Sequence, residues 1–388
     1  VTGGDPFGLD ALELDELRTR PGAKWHRHPD RLAAWVADMD FRPPPAVLDR
    51  LRAVVDRGDV GYPDWLPYGT SPLREVFVDR MVDRFDWRIG IDRVHELNDV
   101  IQGVRVAIHH LTAPGDGVAL HVPAYPPFLS TIESSGRRLV EIPALDTPDG
   151  WAFDHDELDE RLEREGAAVL LLCHPHNPTG HVFTEPELRR LAAIAERHDL
   201  VVISDEIHAE LVHAPARHVP LAALGPDVEA RTVTITSASK AFNLAGLRWA
   251  VLHAGSDRLH QALRALPDHY LGAPNLMAVE ATLAAWDDGD EWQRAVLARL
   301  DANRHVLGDL LAGQLPAIGY HVPDATYLAW LDCRGLGVDD PAAAFRRRGV
   351  ELSPGPTFGR QGAGFVRLNF ATSSRLLGRL VAAMAASE

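Results

Sequence analysis

The stretch from residue 169 to residue 236 restricts the fold more than any other. It holds three short apolar runs, VLLLC at 169–173, VVISD at 201–205 and TVTIT at 232–236, and a helical pattern, EPELRRLAAIAERHDL, lies between the first two. Runs of this length with little polar alternation read as strands buried on both faces, and parallel strands of that kind need a crossover helix. Thr184 and Glu187 stand at capping-box spacing at the helix start, and Pro186 is tolerated in its first turn. The segment therefore predicts an α/β architecture, a mainly parallel sheet with helices on both faces.

The flanking sequence adds two further bodies. Residues 1–45 show little periodicity and end in Arg42-Pro43-Pro44-Pro45, which cannot be helical throughout, so they read as an arm. AVLDRLRAVVDRG, from Ala46, predicts a helix closed by Gly58, and a second is expected over Ser71–Arg84. Beyond Pro267 the pattern becomes a long amphipathic helix to about Leu311, followed by short strands near Tyr327–Asp332 and Phe365–Phe370. The expected division is an arm over 1–45, a large domain over 46–275 and a smaller α+β domain over 276–388. Neither repeats nor long flexible linkers interrupt it.

Composition narrows the function. A chain of 388 residues with 46% hydrophobic content can bury a large core in more than one lobe. Its net charge of −16, with no dense basic run, disfavours nucleic acid. Cys173 and Cys333, outside any metal or redox spacing, are expected as free thiols in a reducing compartment. With no basic-then-apolar leader and no long apolar span, the expected location is the cytoplasm, away from membranes. The 19 histidines form no HExxH or Cys/His ligand pattern, so no metal is expected despite His174 and His176 around Pro175.

Three groups close predicted strands, where open α/β sheets bind ligands: Asn177 in HNPTG, Asp205 in SDEIHAE and Lys240 in SASKAFNLAGLR. They are 28 and 35 residues apart, one strand-to-strand step each, so all three can reach one cofactor. A lysine with a lowered pKa is a Schiff-base nucleophile towards an aldehyde, and pyridoxal phosphate acts as an electron sink while a carboxylate such as Asp205 keeps its ring nitrogen protonated. Asn177 can donate to the phenolic oxygen. Ser237, Ser239 and Arg248 flank the lysine as phosphate ligands, Gly103 and Val104 offer backbone N–H groups at a helix start, and Tyr125 offers a ring for stacking. Arg367, in VRLNFA, suits a substrate carboxylate. Taken singly, each has a plainer reading: Asp205 as a turn residue, Lys240 as a surface lysine, Arg367 as half of an ion pair, His208 as a structural histidine.

Together HNPTG, SDEIHAE, SASKAFNLAGLR and VRLNFA resemble the fold-type I, class I/II aminotransferases over nearly the whole chain. WVADMDF at 35–41, GYP at 61–63, the DEIH form at 205–208 and ATYLAWLD at 325–332 are similar to the cystathionine β-lyase (MalY/PatB-type) C–S lyases. The resemblance implies the aspartate-aminotransferase-like fold, with a seven-stranded-type sheet. It makes Lys240 the lysine bonded to pyridoxal phosphate, Asp205 the pyridinium partner, Asn177 the phenolate donor and Arg367 the carboxylate clamp. It assigns Gly103, Val104, Ser237, Ser239 and Arg248 to the phosphate and Tyr125 to the ring. His208 stands where many relatives have tyrosine. Tyr62 would reach the phosphate of a neighbouring subunit, which implies a homodimer with shared sites. The expected reaction is β-elimination from a small-molecule amino acid such as cystathionine. Two rivals are an aminotransferase, using the same lysine, and a regulatory protein that retains the site.

Overall fold

The computed structural model describes residues 5–65, 71–267 and 270–386. Its centre is an eight-stranded sheet in the order Val94–Leu97, Ala250–Ala254, Thr232–Thr236, Val201–Asp205, Val169–Cys173, Gly117–Val122, Arg138–Thr147, Gly150–Phe153. The five strands from Thr232–Thr236 to Arg138–Thr147 run parallel, while Ala250–Ala254 is antiparallel to both neighbours. The eighth strand, Gly150–Phe153, is an antiparallel hairpin addition to the expected seven. VLLLC shows why the sheet is covered on both sides. Val169 and Leu171 pack with Val104, Ile108 and Phe128, whereas Leu170 and Leu172 pack with Leu158, Leu188 and Leu191. This is the two-residue period of a strand whose faces are both buried.

The helix Glu185–Arg197 begins with the expected reciprocal cap between Thr184 and Glu187. Pro45–Arg57 ends at Gly58, whose φ of 67° is the left-handed conformation that closes a helix. The single helix expected after Pro267 is two, Leu276–Asp288 and Asp290–Gln314. Gly289 separates them, and a Cβ there would lie 2.3 Å from the carbonyl oxygen of Ala285. Apolar spacing continues across the junction, so periodicity alone hides it.

The C-terminal sheet orders Gly319–Tyr320, Leu328–Asp332, Phe365–Asn369 and Ser353–Pro354. The arm docks here, since Leu32–Ala33 pairs in parallel with Val350–Glu351 and Ala34 accepts from the Asn369 N–H. Among the described residues, no helix is long and apolar enough to cross a membrane.

Candidate active site

The parallel strands end on one edge. In register, Cys173 lies beside Asp205, and Asp205 beside Ile235, so the loops that follow three adjacent strands meet there. Gly117–Val122 sits at the point where the chain order reverses, with Arg138–Thr147 on one side and Val169–Cys173 on the other. Tyr125 follows that strand, at the crevice where doubly wound sheets hold ligands. A pocket opens here, lined by Asn98 to Ile101, Tyr125, Asn177, Asp205, His208, Ser239, Lys240, Arg248 and Trp249, among others.

Asp205 is 4% exposed, and one of its oxygens accepts the Ile207 N–H at 3.1 Å. Burial pushes its carboxyl up to about 7, helped by the neighbouring Glu206 and opposed by the Ile207 hydrogen bond and by Lys240. A buried carboxyl of this kind wants a proton or a cationic partner. Lys240 keeps about 20% of its side chain open and donates from Nζ to the Ala37 carbonyl at 2.6 Å. Burial lowers its pKa, with Asp38, 3.9 Å from Nζ, opposing the shift. Tyr327 donates its hydroxyl to the same Ala37 carbonyl at 2.7 Å, which ties the arm to the site.

Arg367 is buried on the strand Phe365–Asn369. It donates to Asn177 Oδ1 and to the Trp35 carbonyl, both at 3.1 Å, and lies over the Phe358 ring. Its Nε is buried without a hydrogen-bond partner, and burial lowers its pKa to about 10. A buried cation held by neutral oxygens is suited to an anionic ligand. His208 lines the pocket edge-on to Tyr327, with Nδ1 unpartnered, and burial with Lys240 and Arg367 nearby holds its pKa down to about 3.

Four expected site residues lie elsewhere. Gly103 and Val104 are inside the helix Val100–Leu111, and the Gly103 N–H already bonds the Asp99 carbonyl at 3.3 Å, so neither residue offers a donor. Glycine at 103 serves close packing instead, because a Cβ there would meet Leu97 at 2.8 Å and Ile235 at 3.1 Å. The first-turn residues that line the pocket are Val100 and Ile101. Ser237 does not line it either. Its hydroxyl donates to the Trp249 carbonyl at 2.6 Å and accepts the Ser239 N–H at 3.1 Å, so it shapes the turn leading to Lys240. Tyr62 is 95% exposed and outside the pocket of its own chain.

Sequence reasoning missed Asp99, Val100, Ile101 and the carbonyls of Trp35 and Ala37. An N-cap signal was available for the first, since Asp99 directly precedes an apolar periodic run. Backbone carbonyls of an arm carry no sequence signal. The donor set suits pyridoxal phosphate: a buried carboxyl facing the pocket, a lysine of lowered pKa, and a helix start with Ser239 and Arg248 for an anion.

Residues 93–384 match the family model described as aminotransferase class I and II. The chain is 35% identical to a cystathionine β-lyase of Corynebacterium glutamicum, over 94% of this chain and 96% of that protein. It is 33% identical to cystathionine β-lyase PatB of Bacillus subtilis (strain 168), over 88% of each. The crystal structure of cystalysin from Treponema denticola, which contains pyridoxal 5'-phosphate, superposes with a TM-score of 0.88 at 26% identity, covering 95% of this chain and 96% of that one.

Proposed function

The chain belongs to the class I and II aminotransferase family, in its subgroup of cystathionine β-lyases, and from that premise we propose that the pocket around Lys240 expels a thiol from Cβ of a cysteine thioether such as cystathionine. The protein is a pyridoxal-phosphate-dependent carbon–sulfur lyase. Bound in the pocket, pyridoxal phosphate supplies an electron sink conjugated to the substrate Cα. The geometry supports the following assignment of residue roles. Lys240 would hold the cofactor aldehyde and be freed when the substrate amine takes its place. Its Nζ then takes the Cα proton and returns one to the departing sulfur, a task favoured by its lowered pKa. Asp205 would hold the ring-nitrogen proton, Asn177 would donate to the phenolic oxygen, and Tyr125 would offer its ring for stacking. Arg367, already bonded to Asn177, takes the substrate carboxylate. Water then converts the three-carbon enamine to pyruvate and ammonia, which balances the thiol released.

The observation that carries this reading is the convergence of Lys240, Asp205 and Asn177 on one pocket from the ends of adjacent strands. Its test is an absorbance spectrum of the purified protein before and after cystathionine, with pyruvate assayed in the same tube. A cofactor band and pyruvate release are expected, and Lys240→Ala is expected to stop release. Undiminished activity of Lys240→Ala refutes the assignment. A band without pyruvate, with stoichiometric conversion of the cofactor to its amine form by an amino acid lacking a β-leaving group, favours transamination instead.

We also infer a homodimer in which the partner subunit's Tyr62 reaches the phosphate. The support is the 95% exposure of Tyr62, together with the exposure of Val60 and Val55 in the preceding segment.

A further inference from the structure

One wall of the pocket carries an acid among the groups suited to an anion. Asp99 is the N-cap of the twelve-residue helix Val100–Leu111, and its Oδ1 accepts the Gln102 N–H at 2.8 Å. Its other oxygen, Oδ2, is ion-paired with Arg248 Nη2. Both side chains line the pocket together with Val100, Ile101 and Ser239. Lys240 and Arg248 are the two cations among the lining residues, and Lys240 is assigned to the cofactor aldehyde. Arg248 is therefore the cation left for a phosphate, and a carboxylate already holds it.

The two oxygens of Asp99 do separable work. Oδ1 satisfies a first-turn N–H, a task that asparagine and serine perform about as well as aspartate. Oδ2 places a full negative charge where the helix start would otherwise favour an incoming anion. A phosphate monoester carries a charge of about −1.5 to −2 near neutral pH. It must then take Arg248 from Asp99, or share it against the repulsion of a neighbouring carboxylate.

We propose that Asp99 competes with the cofactor phosphate for Arg248 and the start of the helix Val100–Leu111, and so limits how tightly the cofactor is held. The inference rests on the reading that this pocket takes pyridoxal phosphate. In the cofactor-free protein Asp99 keeps Arg248 in place. On binding, the phosphate displaces it. Asp99 is thus a positioning residue that also makes the cofactor exchangeable.

The test compares the cofactor-free wild type with Asp99→Asn and Asp99→Ser, both of which retain a helix cap and lose the charge. Pyridoxal phosphate is titrated against the fluorescence of the protein, since Trp249 lines the pocket. Inorganic phosphate is examined separately by its effect on the melting temperature. Both variants are expected to melt near the wild type without ligand. They should bind pyridoxal phosphate about tenfold more tightly, the scale of one like-charge contact removed from a partly exposed site. They should also gain more melting temperature from phosphate than the wild type does. Equal or weaker binding by the variants overturns the proposal and leaves the cofactor reading standing. So does a gain shown by Asp99→Asn alone, because both substitutions remove the same charge. A wild type that binds no pyridoxal phosphate overturns the cofactor reading and this proposal with it.

Discussion

Asp205 illustrates how a site residue is set by its surroundings. A carboxyl near 4 in an unfolded chain stands at about 7 when buried at the end of Val201–Asp205. Between those two values the folded cofactor-free protein binds more protons than the unfolded chain, so this group makes stability fall as pH rises, by a few kcal/mol at most by about pH 8. Asp205→Asn removes that dependence. In urea denaturation of the cofactor-free protein, the variant is expected to gain on the wild type at pH 8 and to show no such gain at pH 4. A difference that is the same at both pH values would show that Asp205 is not buried in this way. The position was legible because an acid closing a strand within SDEIHAE is conspicuous. Its neighbour Glu206 was not: it lies buried against His218 at 2.8 Å and Ser204 at 2.8 Å, and its own carboxyl is pushed up to about 7 by burial. Nothing local announces that a glutamate twelve residues from its histidine will be enclosed with it.

At the scale of elements, caps were more informative than glycines. Thr184 was recognisable as a helix start by its spacing to Glu187, and the structure makes both halves of that box, Thr184 N–H to Glu187 Oε2 at 2.7 Å and Glu187 N–H to Thr184 Oγ1 at 3.5 Å. Thr184→Ala is expected to lower stability by about 1 kcal/mol, read as a lower urea midpoint with an unchanged slope. An unchanged midpoint would mean that the exposed cap contributes nothing. The helix Val100–Leu111 shows the opposite case. Gly103 drew the phosphate assignment into the helix interior, whereas the start is marked by Asp99. Glycine at a helix–sheet contact and glycine at an anion cradle look alike in sequence, and only the distance to Leu97 and Ile235 separates them.

For the whole molecule, the candidate active site is a junction of distant segments. The arm supplies the Trp35 and Ala37 carbonyls, the C-terminal sheet supplies Arg367, and the Ala124 N–H, one residue before Tyr125, bonds the Phe358 carbonyl at 2.8 Å. The proposed dimer extends this sharing to a second chain. Its test mixes Lys240→Ala with Tyr62→Ala under conditions that exchange subunits. Half of the dimers become hybrids, and each hybrid holds one site with an intact lysine and an intact tyrosine from its neighbour, so activity should return to about a quarter of the wild type. Activity no greater than that of the two variants measured separately would place Tyr62 outside the site.

The sequence by itself determined the architecture and the position of the candidate cofactor residues at strand ends, because strand burial, helix capping and loop position after a strand depend on neighbours a few residues away. VLLLC, the Thr184–Glu187 box, Asn177, Asp205 and Lys240 are all of this kind. Tertiary structure decided the rest: that Asp99 rather than Gly103 begins the helix at the pocket, that Ser237 turns away from it, that Gly289 divides the long helical run, and that Arg367 sits against Asn177. Each of these depends on which distant surface a side chain meets, and burial, charge pairing and steric clearance exist only once the chain has closed on itself.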